Sequence, residues 1–169
     1  NNNPIGIFDS GIGGLTVLSK IIEILPNEKY IYYADKDNVP YGTKPKEEVK
    51  KYIEDAIKFL ISKNVKAIVI ACNTASLFIK HLQDITDIPV ISVIEPTCQY
   101  AIDSTKNGNI AVLATIATIN KGKYQELITN NEKNMIKVGK IIEDKLNNAG
   151  IKAIHATEKH DYPQYSGSY

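Results

Sequence analysis

The sequence predicts an α/β fold: a parallel sheet with helices on both faces. Three observations carry that prediction. Short apolar runs rich in β-branched and aromatic residues recur at 5–8, 30–33, 67–70, 90–93 and 110–113, the composition of buried strands. Stretches with apolar residues at helical spacing separate them, and strands alternating with helices imply right-handed βαβ units. The chain's unusual polar residues fall directly after the runs, where open α/β sheets place their sites.

The first run ends in Asp9-Ser10-Gly11-Ile12-Gly13-Gly14, and a stripe of Leu15, Leu18, Ile22 and Leu25 before Pro26 predicts a helix. The second run passes into Ala34-Asp35 and then Val39-Pro40-Tyr41-Gly42-Thr43. The clearest helix follows: Val49, Tyr52, Ile53, Ala56, Ile57, Leu60 and Ile61 lie on one apolar face. The third run ends in Cys72-Asn73-Thr74, with a helix predicted over 74–86, and a fourth helix over 95–104 follows the fourth run. The fifth run ends in Ala114-Thr115. Beyond the polar residues 129–132, Met135, Val138, Ile142, Leu146 and Ala149 predict one more helix stopped by Gly150, and 152–155 a short strand.

Composition narrows the function. The 169 residues are 43% apolar and 23% charged, with a formal net charge of +1. That balance is ordinary for a globular protein and offers no electrostatic case for nucleic acid or an anionic membrane. Two cysteines suggest no disulfide framework, and a free thiol fits a reducing cytosol. With no signal pattern at Asn1-Asn2-Asn3-Pro4 and no apolar run of membrane-spanning length, a cytoplasmic location is expected.

Cys72 is the residue with most chemical promise. A thiol at the exit of a buried strand, just before a helix, sits where a helix N-terminus stabilises a thiolate; the alternative is a small buried hydrophobe. Asp9 and Ser10 open a glycine-rich turn, but the spacing is not G-x-G-x-x-G and no Gly-Lys-Ser/Thr follows, so a phosphate loop is disfavoured. Backbone N–H groups there could bind a carboxylate instead. Asp9 could equally be a helix cap, Asn73 and Thr74 caps of the third helix, and Tyr41-Gly42 a plain turn after Pro40. Taken together, a thiol, a carboxylate, hydroxyls and amides at one sheet edge, without metal-ligand spacing, suit a small polar metabolite.

Three motifs then become specific. Phe8-Asp9-Ser10-Gly11-Ile12-Gly13-Gly14-Leu15-Thr16-Val17, Val39-Pro40-Tyr41-Gly42-Thr43-Lys44 and Ala71-Cys72-Asn73-Thr74-Ala75-Ser76 resemble the glutamate racemases of the Asp/Glu racemase family, in order and spacing. Val93-Ile94-Glu95-Pro96 and Ala114-Thr115-Ile116-Ala117-Thr118-Ile119 are similar to the next landmarks, so the resemblance covers roughly 4 to 127. It implies two similar α/β lobes and a racemase that uses neither pyridoxal phosphate nor metal. One cysteine would take the α-proton of glutamate and a second would return a proton to the other face. Carried over, Cys72 is an acid/base thiol and Asp9 assists the transfer and holds substrate with Ser10. Tyr41, Gly42, Asn73 and Thr74 bind the amino acid, with Thr115 and Thr118 as neighbours. The implied partners are glutamate and a second copy in a homodimer, and the implied role is supply of D-glutamate for peptidoglycan.

The sequence departs from the family in two respects. The late Gly-Cys-Thr-His run that carries the second thiol is absent. Cys98, in Pro96-Thr97-Cys98-Gln99-Tyr100, reads as a packed helical cysteine and no substitute for it. Residues 131–169, above all His160-Asp161-Tyr162-Pro163-Gln164-Tyr165-Ser166-Gly167-Ser168-Tyr169, resemble instead a fragment of stage II sporulation protein P type peptidoglycan amidases. Those are zinc enzymes, but His155, His160 and Asp161 lack a third ligand at metal spacing, so no metal is expected. The expected organisation is a first racemase lobe over 1–95, the start of a truncated second lobe over 96–128, and an amidase-like fragment or irregular tail over 129–169. Impaired racemisation follows from one usable thiol. The alternatives are one-sided chemistry at Cys72, such as decarboxylation of a malonate-type acid, and a non-catalytic truncated or chimeric product.

Overall fold

A computed structural model describes residues 2–129. The readings made on 131–169, including the amidase-like segment, the helix through Met135 and the histidines His155 and His160, lie outside the described residues. The chain divides into two compact units, the first ending at Val93 and the second beginning at Ile94.

The first unit is a parallel four-stranded sheet: β1 (Ile5–Asp9), β2 (Tyr30–Ala34), β3 (Ala67–Ile70) and β4 (Val90–Ser92), in the order β2-β1-β3-β4. β1 is fully buried and paired on both sides, Phe8 opposite Tyr33 and Ile70. Alternation along the strands assigns the two faces. Phe8, Ile68 and Ile70 join the cluster under α2 (Lys46–Ser62), whose Val49, Ile53, Ala56, Ile57 and Leu60 are buried. Burying each of these larger side chains is worth roughly 1.5–3 kcal/mol. Ile5, Ile7, Val69 and Ala71 face the opposite way, against Val17, Leu18 and Ile21 of α1 (Leu15–Ile24).

Three expectations need correction. The buried face of α1 is turned from the predicted stripe: Leu18 packs, but Leu15, Ile22 and Leu25 are exposed. Apolar residues surround this helix, so its phase is set by docking on the sheet and not by periodicity. The predicted helix over 74–86 is two helices, α3 (Asn73–Ser76) and α4 (Ile79–Asp84). The Ser76 hydroxyl donates to the Cys72 carbonyl, 2.9 Å, a back-bond of the kind that bends helices, and Phe78 is drawn into the core at the break. Finally, residues 110–113 form no strand; Leu113 is 89% exposed. A strand needs a neighbour for its backbone groups, and among the described residues none pairs with it.

A helix-to-helix contact outside the sheet yields a pH prediction. His81 Nε2 of α4 lies 2.6 Å from Glu54 Oε1 of α2, and this bond holds the Glu54 carboxyl below its usual range. A depressed carboxyl stabilises the fold above its unfolded pKa, and that contribution is lost as pH falls through the folded value. The Tm difference between the wild type and His81→Gln is therefore expected to close on acidification through that range.

The second unit contributes α5 (Ile94–Ser104), α6 (Ile116–Lys121) and α7 (Lys123–Thr129). Ile94, Cys98 and Ile102, four residues apart, form the buried stripe of α5, and Tyr124 and Ile128 that of α7. Gly122 divides α6 from α7 at φ 67°, a left-handed position that glycine takes without steric cost.

Candidate active site

The strand order creates the site. From β1 the chain goes to β2 on one side and then to β3 on the other, so the carboxyl ends of β1 and β3 flank the switch point where open α/β sheets bind ligands. Ser10 and Cys72 each stand two residues beyond the Phe8–Ile70 pair. Their Oγ and Sγ atoms are 3.2 Å apart, across 62 positions of sequence. Cys72 is 7% exposed: its sulfur shares an apolar cluster with Phe8, Tyr41 and Ala75 while meeting the Ser10 hydroxyl. The residue is the N-cap of α3, in extended conformation. With only four residues in α3, the helix N-terminus expected from sequence is a single turn.

Asp9 is buried at the end of β1. Its Oδ2 accepts from the backbone N–H of Gly14 at 3.0 Å and of Gly11 at 3.2 Å, and from the Tyr32 hydroxyl at 3.4 Å. Gly14, not Asp9, is the N-cap of α1, so Asp9 secures the start of that helix from the neighbouring strand end. A Cβ on Gly14 would lie 2.8 Å from Asp9 Cβ and 2.9 Å from both Ala71 Cβ and the Tyr32 hydroxyl. The glycine is therefore required for close approach. Burial, and then the adjacent Asp9 charge, push the Tyr32 phenol up to about 12.

Tyr41 and Gly42 lie in a 3-10 turn over Tyr41–Thr43, more than a plain turn. The Tyr41 hydroxyl donates to Asp35 Oδ2 at 2.5 Å, and the Asn38 amide donates to both Asp35 oxygens, 2.8 and 3.1 Å. Burial, then the bond to Asp35, drive the Tyr41 phenol far above its usual range. Asp35 is itself buried, and its N–H donates to the Asp9 carbonyl at 3.0 Å. Asn73 and Thr74 are the first two residues of α3, Asn73 exposed and Thr74 buried. The first unit thus brings Ser10 to Cys72, with Asp9 next to Ser10 at the end of β1 and the Tyr41 turn secured through Asp35.

Thr115 and Thr118 belong to the second unit. Thr115 is the N-cap of α6 and accepts from the Thr118 N–H at 3.4 Å; the two hydroxyls are 3.1 Å apart, and Thr118 is fully buried. Cys98 is buried on α5, where desolvation and then Glu95 raise its thiol to about 11. Two residues of the first unit escaped the sequence-based site, Tyr32 and Asp35. Signals for both exist: Tyr32 shares its strand face with Ile5 and Ile7, and Asp35 directly follows a strand. Only register makes the Tyr32 signal meaningful. Among the described residues no group of three His, Cys, Asp or Glu side chains could hold a metal, and no helix is long and apolar enough to cross a membrane.

Known proteins share this arrangement of motifs. Glutamate racemases of Halothermothrix orenii and Clostridium novyi are 48% and 50% identical over 126 and 127 residues, 74% of this chain in each case. The chain spans about half the length of these relatives, 49%. Among solved structures, a glutamate racemase of Bacillus anthracis superposes with a TM-score of 0.76 at 36% identity, over 88% of this chain and 59% of that one. One of Francisella tularensis in complex with D-glutamate superposes with a TM-score of 0.72 at 39% identity, over 91% and 59%. The family model described as Asp/Glu/Hydantoin racemase matches residues 5–161, past the point near 127 where the motif resemblance ends. With its strand order, its paired strand ends and the greater part of its length accounted for in this way, the chain belongs to the Asp/Glu/hydantoin racemase family.

Proposed function

We propose that this chain carries the glutamate-binding, single-thiol half of a cofactor-independent glutamate racemase, an isomerase that supplies D-glutamate for peptidoglycan. The observation that carries the reading is the 3.2 Å approach of Ser10 to Cys72 at the switch point, where Ser10 directly follows the buried Asp9. In this reading the Cys72 thiolate takes the α-proton of glutamate, the electron pair passes into the substrate carboxylate, and a proton returns to Cα. The Cα–H is a weak acid, so donors near the carboxylate and exclusion of water must stabilise the anion. Asp9 and Ser10 orient the substrate and assist the transfer, and Tyr41, Gly42, Asn73 and Thr74 hold the amino acid, with Thr115 and Thr118 as further binding residues.

Inversion needs a donor on the opposite face. Cys98 is not proposed for that role, because it is a packed member of the buried α5 stripe with Ile94 and Ile102. The chain alone is therefore expected to exchange the glutamate α-proton in D2O faster than it inverts the centre. Proton NMR with chiral chromatography measures both, and EDTA is expected to leave the exchange rate unchanged. Absence of exchange at saturating L- and D-glutamate defeats the reading. Release of CO2 from a malonate-type acid would favour the decarboxylase alternative, and inertness with both substrates a non-catalytic product. The amidase-like character of 131–169 is a separate proposal and takes no part in the Cys72 reaction. A homodimer in the cytoplasm is likewise proposed; the exposed Ile12, Leu15, Ile24 and Leu25 favour self-association, which sedimentation over a concentration series reads.

A further inference from the structure

We propose that Tyr32 is a positioning residue for Asp9, its hydroxyl fixing the carboxylate through Oδ2 and tempering the charge that Cys72 experiences. The inference rests on the site reading above but concerns a residue that reading does not use. Three observations converge on it. Asp9 Oδ2 receives the Gly11 N–H, the Gly14 N–H and the Tyr32 hydroxyl, while no bond to Oδ1 is seen among the described residues. Oδ2 is thereby the anchored oxygen. The anchor also depends on Gly14, because a Cβ there would stand 2.9 Å from the Tyr32 hydroxyl. The missing side chain makes the space the phenol fills.

The hydroxyl has one proton and two acceptors, the Gly11 carbonyl at 3.0 Å and Asp9 Oδ2 at 3.4 Å. A full negative charge on Asp9 draws the proton toward Oδ2, since bonds to ionised acceptors are the stronger ones. When the carboxyl is neutralised, the same O–H turns to Gly11. Tyr32 thus responds to the charge state of Asp9 without touching substrate. Ser10 directly follows Asp9 and its hydroxyl lies 3.2 Å from Cys72 Sγ, so the thiol is joined to this cluster and registers the response.

A double-mutant cycle on the full chain tests this through Cys72, whether or not the protein turns over glutamate. The readout is the rate of iodoacetamide alkylation of Cys72 against pH, followed by peptide mass spectrometry so that Cys98 does not interfere. Asp9→Asn removes the charge and is expected to speed alkylation near neutral pH. Tyr32→Phe leaves more of the charge uncompensated and is expected to slow it at least two-fold. In the Asp9→Asn background Tyr32→Phe is expected to have no effect. An equal effect in both backgrounds, or none in either, overturns the proposal. A second measurement needs no change at Tyr32: with ¹³Cζ-tyrosine, its signal in wild type is expected to titrate near 12, and lower in Asp9→Asn. An unchanged titration overturns the proposal as well. Loss of α-proton exchange with the cycle intact would count against the racemase reading alone. The converse pattern would count against Tyr32 alone.

Discussion

Replacing Cys72 by alanine is expected to reduce glutamate α-proton exchange to the uncatalysed background. General acid–base groups contribute roughly 100- to 10,000-fold to a proton-transfer rate, and in the proposed reaction this sulfur carries the first transfer. Cys72→Ser separates chemistry from packing. A serine hydroxyl keeps the shape and can still bond the Ser10 hydroxyl, which lies 3.2 Å from the native sulfur. It does not ionise near neutral pH as a thiol can. Both variants are expected to melt within a few degrees of the wild type, because the side chain is small and the surrounding cluster of Phe8, Tyr41 and Ala75 stays in place. Exchange by NMR beside a thermal melt checks both. Retained exchange in Cys72→Ala would move the chemistry to another group.

The second large effect concerns Gly14. In Gly14→Ala the new methyl would meet two Cβ atoms, those of Asp9 and Ala71, at 2.8 and 2.9 Å. Neither is the free end of a flexible side chain, so the start of α1 must move off the sheet. Overpacking of this kind costs about 1–3 kcal/mol. It also draws the Gly14 N–H away from Asp9 Oδ2, now 3.0 Å distant. The expected outcome is a lowered Tm together with a loss of Cys72 chemistry beyond what stability explains. Gly11→Ala supplies the contrast: nothing lies within 4 Å of its added Cβ, and the N–H that donates to Asp9 remains. It is expected to behave as wild type. Equal behaviour of the two variants in melts and alkylation would contradict the close-approach argument.

The sequence already contained the elements whose pattern is local. β1 to β4 stood out as β-branched and aromatic runs, and α2 as a single apolar face, because its buried Val49, Ile53, Ala56, Ile57 and Leu60 repeat at the helical period. The phase of α1 was not legible, since an apolar residue is available on every side and the sheet chooses among them. The break between α3 and α4 was hidden for a related reason: it depends on where Phe78 finds space in the core. At the site, Asp9, Ser10 and Cys72 could be named because each follows a predicted strand. Tyr32 could not, because its meeting with Asp9 depends on pairing between β1 and β2. Asp35 follows a strand as those three do, but acts through Tyr41 and Asn38 of the following loop. Thr115 and Thr118 are singled out by motif alone, and their pairing in the cap of α6 is a further local role that the motif does not signal.

β1 has a neighbour on each side, and the residues that follow it and β3 hold the reactive groups. Fraying at a margin of the domain leaves Ser10 and Cys72 on the ends of two strands paired in the middle of the sheet. Parts of a protein that open only with the whole molecule exchange their amides at the slowest, global rate. Competence at this thiol is accordingly an all-or-none property of the domain, and denaturant should extinguish it in the same transition that melts the protein.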